Sequence, residues 1–130
     1  MDNAKDDVKK EDRAAALAAV KTAASVIEEK FGKDITVLDI AGVSIMADYF
    51  VIATAAQKTQ LKALAEAVDR ALFAAGLRLR HTEGEPASGW ILMDFGSAIV
   101  HLFTGEQREL YDLERMWADG EVIMENGEWK

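Results

Sequence analysis

Two apolar runs, Trp90 to Phe95 (WILMDF) and Ala98 to Phe103 (AIVHLF), are separated only by Gly96-Ser97. Gly followed by a small polar residue suits a two-residue type II′ hairpin turn, because Gly accepts the positive φ at the first central position. That turn fixes a register: Phe95 opposite Ala98, Met93 opposite Val100, Leu92 opposite His101 and Trp90 opposite Phe103. Side chains alternate along a strand, so the hairpin has two faces. Ile91, Met93, Phe95, Ala98, Val100 and Leu102 form an apolar core face. Trp90, Leu92, Asp94, Ile99, His101 and Phe103 form a mixed face of aromatics, an acid and an imidazole.

Elsewhere the pattern alternates between helical and extended periods. Leu17, Val20, Ala24, Ile27 and Phe31 recur at steps of three and four, which predicts a helix from Arg13 to Phe31 stopped by Gly32. Ile35 to Ile40 (ITVLDI) predicts a strand, and Tyr49 to Thr54 (YFVIAT) a second one, apolar enough to be covered on both sides. Leu61, Leu64, Ala65, Val68 and Leu72 mark a helix over Gln57 to Ala75, with Gly76 as its stop. Leu77 to Thr82 alternates and predicts a strand that exposes Arg78 and Arg80. A loop, Glu83 to Gly89, holds the one proline, and a last helix follows the hairpin from Gly105 to Trp117. The expected order is α-β-β-α-β-β-β-α, a single α/β domain with a mixed β-sheet packed by helices. Residues 1–12 are expected to be a flexible charged N-terminus and 13–117 the domain. Residues 118–130 read as an acidic C-terminal tail, either loose or carrying a short edge strand around Val122, Ile123 and Met124.

Composition narrows the function. At 130 residues the chain fits one domain, and with no cysteine it has neither a disulfide framework nor thiolate metal ligands. No segment approaches the roughly 20 apolar residues that span a bilayer, and the charged N-terminus does not read as a signal or transit peptide. A cytoplasmic protein is expected, with no membrane association. The net charge is −8, and Thr104 to Lys130 carries eight acids against three bases. Direct nucleic-acid binding needs the opposite sign, whereas an acidic surface suits a basic protein partner.

Catalytic constellations are missing. His81 and His101 with Asp94 or Glu83 are the conceivable metal ligands, but no HxH or HExxH spacing exists and the hairpin register sets Leu92, not Asp94, opposite His101. No metal and no cofactor are expected. Ser25, Ser44 and Ser97 lack a nucleophile-elbow context, and no glycine-rich phosphate loop is present. The element order invites comparison with nucleotidyltransferases, whose Gly-Ser turn is followed by strand carboxylates that hold Mg²⁺. Here Gly96-Ser97 leads into AIVHLF, and Glu106 and Glu109 fall on the helix instead. The reading is therefore not an enzyme but a contact surface. Trp90, Asp94, His101, Tyr111, Asp112 and Arg115 are the expected partner-binding residues, with Leu110, Leu113 and Trp117 as an inward-facing support stripe. Core packing is the competing role for Trp90 and Trp117.

The same residues carry a family likeness. The stretch Ala47-Asp48-Tyr49-Phe50-Val51-Ile52-Ala53-Thr54, the pair Glu83-Gly84, and the run Trp90 to Gly96 match one pattern in register. Val100-His101-Leu102-Phe103 and the run Arg108 to Trp117 (RELYDLERMW) continue it. Over most of its length the chain resembles the ribosomal silencing factors of the RsfS/Iojap type. The resemblance implies a nucleotidyltransferase-like fold without demonstrated catalysis. It also implies binding to the large ribosomal subunit through a ribosomal protein of the L-fourteen family, on the face that meets the small subunit. Occupying that face blocks subunit joining and represses translation when nutrients are scarce. A monomer and a homodimer are both compatible with the sequence. The alternative, a nucleotide- or metal-dependent enzyme on the same fold, needs a carboxylate pair on neighbouring strands that the sequence does not supply.

Overall fold

The computed structural model describes residues 3–130, apart from the side chains of residues 3–12 and Met116. The elements run α1 (Asn3–Glu29), β1 (Lys33–Asp39), β2 (Tyr49–Ala55), α2 (Lys58–Ala74), β3 (His81–Glu85), β4 (Trp90–Asp94) and β5 (Ala98–Thr104). They end with α3 (Gly105–Tyr111), α4 (Leu113–Met116), β6 (Glu121–Glu125) and β7 (Glu128–Trp129). The seven strands form one sheet in the order β3-β4-β5-β2-β1-β6-β7. Its strands pair antiparallel except at the centre, where β2 and β5 run parallel from Tyr49↔Ala98 to Ala55↔Thr104.

That central pair is apolar on both faces, and two cores result. On one face α1 and α2 cover the sheet. Val20, Ala24 and Ile27 of α1 and Leu61, Leu64, Val68 and Leu72 of α2 meet Val37, Val51, Ala53, Met93, Val100 and Leu102. On the other face a smaller core gathers Leu38, Ile40, Phe50, Ile52, Ile99, Phe103 and Leu113, flanked by Trp90, Leu92 and Trp117. The parity of each strand decides which core its side chains enter. Arg13 fastens α1 to β1, donating from Nη2 to Asp39 Oδ2 at 2.8 Å.

The hairpin forms in the expected register, from Trp90↔Phe103 through Leu92↔His101 to Asp94↔Ile99. Gly96 holds φ +88° and Ser97 does not turn positive, as a type II′ turn requires.

Five sequence expectations shift. The first helix already runs from Asn3, where a charged lead-in to residue 12 is expected, and it ends before Phe31. Phe31 itself sits at φ +67° and is exposed rather than part of the buried stripe, because Gly32 N–H closes the helix by donating back to the Ile27 carbonyl. The third strand is His81–Glu85, not Leu77–Thr82. Its ladder opposite β4 spans Glu85↔Trp90 to His81↔Asp94, and β4 stops there, so residues before Arg80 have no strand to face. The last helix breaks at Asp112, which adopts the left-handed conformation at φ +45°, ψ +53°. Finally, the C-terminal segment is not a loose tail but takes the other expected form, an edge strand: β6 pairs with β1 from Val37↔Met124 to Asp39↔Glu121, and β7 folds back on β6.

Met124 is buried against the main core. Met124→Ala is therefore expected to cost about 2–4 kcal/mol in urea denaturation. A loss below about 0.5 kcal/mol would show that the C-terminal hairpin does not pack onto the domain.

Candidate functional site

The mixed face of the hairpin is roofed by α3 and α4. Phe103 leaves the sheet centre on β5, Thr104 occupies the N-cap position of α3, and the chain turns back over the strands it has just left. The result is a row of rings. Tyr111 on α3 stacks on Trp90 of β4, with centroids 5.4 Å apart and planes 28° from parallel, and lies 5.4 Å from Phe103. Phe103 stacks on His101 at 6.0 Å, His101 meets Phe50 edge-on at 5.0 Å, and Phe50 meets Trp117 edge-on at 5.1 Å. Offset and edge-to-face pairs of this kind are the favourable geometries for aromatic quadrupoles. The row is rigid inside and breaks the surface at Tyr111, which is 44% exposed.

The expected contact residues divide accordingly. Tyr111, Asp112 and Arg115 are exposed, and Trp90 is half-buried beneath Tyr111. His101 is only 6% exposed, so the structure places it within the row rather than on a surface. Asp94 lies at the opposite end of the hairpin, where Oδ1 accepts a 2.7 Å hydrogen bond from the Gly96 N–H and steadies the turn. Four residues of strand separate it from Trp90, about 13 Å. Asp94 therefore belongs to the turn, and the aromatic group forms without it.

The support stripe changes too. Leu113 is buried and Trp117 is half-buried against Phe50, but Leu110 is 73% exposed. The left-handed turn at Asp112 rotates α4 relative to α3, so residues 110, 113 and 117 no longer share one face. Leu110, next to Tyr111 in the chain, is thus a second exposed apolar side chain on α3. Two carboxylates that the sequence did not assign to the contact surface also share this face of the sheet. Glu85 pairs with Trp90 and Glu83 with Leu92, and both are exposed. The pairing parity would have revealed them had β3 been placed correctly. Glu83 Oε1 also lies 3.0 Å from His81 Nε2.

Beneath the break, Arg108 crosses from α3 to the ends of β1 and β2. Its Nε donates to Glu114 Oε1 at 2.9 Å, and Nη2 donates to the same oxygen. Nη1 donates to Thr54 Oγ1 at 2.9 Å and to the Asp34 carbonyl, and Nη2 also donates to Thr36 Oγ1 at 3.1 Å.

Among the described residues, no group of three or more His, Asp or Glu side chains is placed to hold a metal ion. His81 sits on the edge strand β3 and His101 on β5, with β4 between them. Also among the described residues, no helix is long and apolar enough to cross a membrane.

Neither ring nitrogen of His101 has a hydrogen-bond partner among the described residues. Burial lowers its pKa from 6.5 to about 4. Between those values the unfolded chain binds a proton that the folded protein refuses, so stability is complete above pH 6.5 and falls as pH drops toward 4. The accumulated loss is on the order of 3 kcal/mol. Chemical denaturation of wild type and His101→Phe at pH 7.5, 5.5 and 4.5 checks it. The variant is expected to show a flatter pH dependence, and equal slopes would rule out His101 as the source.

Known proteins resemble this chain over most of its length. The family model described as ribosomal silencing factor during starvation matches residues 13–129. The chain is 34% identical over 100 residues to the ribosomal silencing factor RsfS of Bacillus subtilis, covering 77% of this chain and 85% of that one. It is 31% identical over 98 residues to the mouse protein named mitochondrial assembly of ribosomal large subunit protein 1, covering 72% of this chain and 42% of that one. A crystal structure of a Chromobacterium violaceum protein superposes with a TM-score of 0.75 at 32% identity, covering 78% of this chain and 85% of that one. The match takes in the strands, the aromatic row, the α3–α4 roof and the C-terminal hairpin alike: the chain belongs to the ribosomal silencing factor family.

Proposed function

We propose that this protein represses translation by docking on the large ribosomal subunit and sterically blocking its union with the small one when nutrients are limiting. The partner is a ribosomal protein of the L-fourteen family, and the site of action is the cytoplasm. The observation that carries this reading is the exposed tip of the aromatic row. Tyr111, backed by Trp90, stands beside Leu110 and is followed at once by Asp112. A rigid aromatic with an apolar neighbour is the usual anchor of a protein interface, because little side-chain entropy is lost when it docks.

The charge around the tip supports a basic partner. Glu83 and Glu85 on β3, Glu106 and Glu109 on α3, and Asp112 are all exposed, with Arg115 as the nearby cation. Ribosomal proteins neutralise RNA phosphates and are correspondingly basic, so an acidic rim steers the encounter and disfavours RNA itself. The mouse relative's name, which refers to assembly of the ribosomal large subunit, points to the same particle. The nucleotidyltransferase-like arrangement implied by the family likeness belongs to this reading as a scaffold.

Co-sedimentation with purified large subunits tests the proposal. Tyr111→Ala combined with Asp112→Asn is the variant of choice, because Asn tolerates the left-handed backbone at that position. Each hot-spot truncation is expected to weaken binding by about 2 kcal/mol, roughly thirtyfold. The melting temperature should stay near that of wild type. Wild-type protein that does not pellet with large subunits would overturn the reading outright, as would a folded double variant that binds normally.

A further inference from the structure

The break between α3 and α4 needs an explanation that local sequence does not give. Leu110-Tyr111-Asp112-Leu113-Glu114 contains neither Gly nor Pro, and a continuous helix would satisfy its backbone. Instead Asp112 takes a left-handed conformation, tolerated by Asp but favoured by Gly. Its N–H closes α3 on the Arg108 carbonyl at 2.9 Å. Something on the far side of the break must hold α4 in its rotated position.

Arg108 is placed to do so. A guanidinium carries five N–H donors, and all five are taken. Two go to Glu114, beyond the break, and the others go to Thr54, Thr36 and the Asp34 carbonyl. The Arg108 side chain is 14% exposed, so these bonds are not traded freely for water. Even the strand end is bent to meet it. Asp34 lies at φ +52° where the β1–β2 register shifts between Lys33 and Thr36, and its carbonyl accepts from Nη1. Two non-glycine residues in left-handed backbone, Asp34 and Asp112, thus flank one guanidinium. Strain held at two points around a single fully committed group suits a device that fixes a geometry.

We propose that Arg108 is the positioning residue of the docking tip: by tying Glu114 to the ends of β1 and β2 it sets the break at Asp112, and so the direction in which Tyr111 and Asp112 are presented. This inference rests on the docking reading above. Arg108 does not touch the partner. It acts through Tyr111 and Asp112, which its own helical turn carries. Lysine cannot replace it, because three donors on one nitrogen cannot reach Glu114, Asp34 and both threonines together.

The test measures affinity of the full chain for purified large subunits by co-sedimentation, with circular dichroism melts as the folding control. Arg108→Lys, Tyr111→Ala and the double variant form a cycle. Arg108→Lys is expected to melt cooperatively and to bind about tenfold more weakly. The double variant should lose much less than the product of the two single losses, because a misdirected Tyr111 has little left to contribute. A purely structural arginine would give losses that multiply, and that result overturns the proposal. Wild-type affinity in Arg108→Lys beside a weakened Tyr111→Ala also overturns it, and leaves the docking reading standing. Undiminished binding by Tyr111→Ala overturns the docking reading and this inference with it. Should Arg108→Lys fail to fold, Glu114→Gln takes its place. It leaves the bonds to Asp34, Thr36 and Thr54 intact while weakening the tie across the break, and the same non-additive loss with Tyr111→Ala is expected.

Discussion

The parallel pairing of β2 with β5 is the constraint from which the rest of the molecule follows. Parallel neighbours in a sheet need cover on both faces, since neither face of such strands offers polar side chains to water. Here β2 reads Tyr49 to Ala55 and β5 reads Ala98 to Thr104, and both are apolar at odd and even positions alike. The long helices α1 and α2 can cover only one face. The other must be closed by whatever the chain still has after β5. That is the short pair α3–α4, which closes a smaller, mainly aliphatic core with Phe50 and Phe103 inside it and Trp90 and Trp117 at its margin. The proposed docking tip on this roof is therefore rooted in the centre of the sheet, through Phe103 and His101.

This rooting explains the chemical character of the face. A buried imidazole whose nitrogens have no partner among the described residues is a poor ion and a poor ligand. His101 with its lowered pKa serves instead as a flat apolar ring between Phe50 and Phe103. The charges are kept at the perimeter, on β3 and α3, where water solvates them. Apolar centre and charged rim is the division that protein interfaces favour, because buried unpaired charge is costly whereas rim charge mainly steers approach.

Most of this was legible from residue order, for identifiable reasons. The hairpin register followed from Gly96-Ser97 because turn type fixes pairing, and the helices followed from three- and four-residue spacing. Strand β3 escapes the local pattern because Glu83-Gly84-Glu85 has no strand propensity of its own. It is extended because β4 pairs with it, a tertiary effect that local pattern does not carry. The same effect hides Glu83 and Glu85 from the site. The C-terminal segment was ambiguous for a related reason: Val122 to Met124 becomes a strand only by capping the β1 edge. Leu110 was assigned inward because its spacing to Leu113 and Trp117 is helical, and the break at Asp112 invalidates that spacing.

Sequence logic thus fails at Asp112 in a telling way. Most positive-φ positions carry glycine, as at 76, 89, 96 and 127, while Phe31 and Asn126 take positive φ in the turns after α1 and between β6 and β7. At Asp34 and Asp112 local preference and tertiary structure disagree, since unremarkable side chains occupy glycine-like backbone. Strain that a glycine would relieve is retained at a point where the chain has otherwise used glycine freely, so a compensating interaction must hold it. The compensation is visible as one arginine spending all its donors across both strained points. Such conflicts between local and global preference cluster at functional sites in folded proteins. A straight helix from Gly105 to Trp117 would satisfy its own backbone more simply, but it would turn Leu110 into the core and abolish the paired apolar tip. The break is what converts a covering helix into the surface proposed here to dock on a partner.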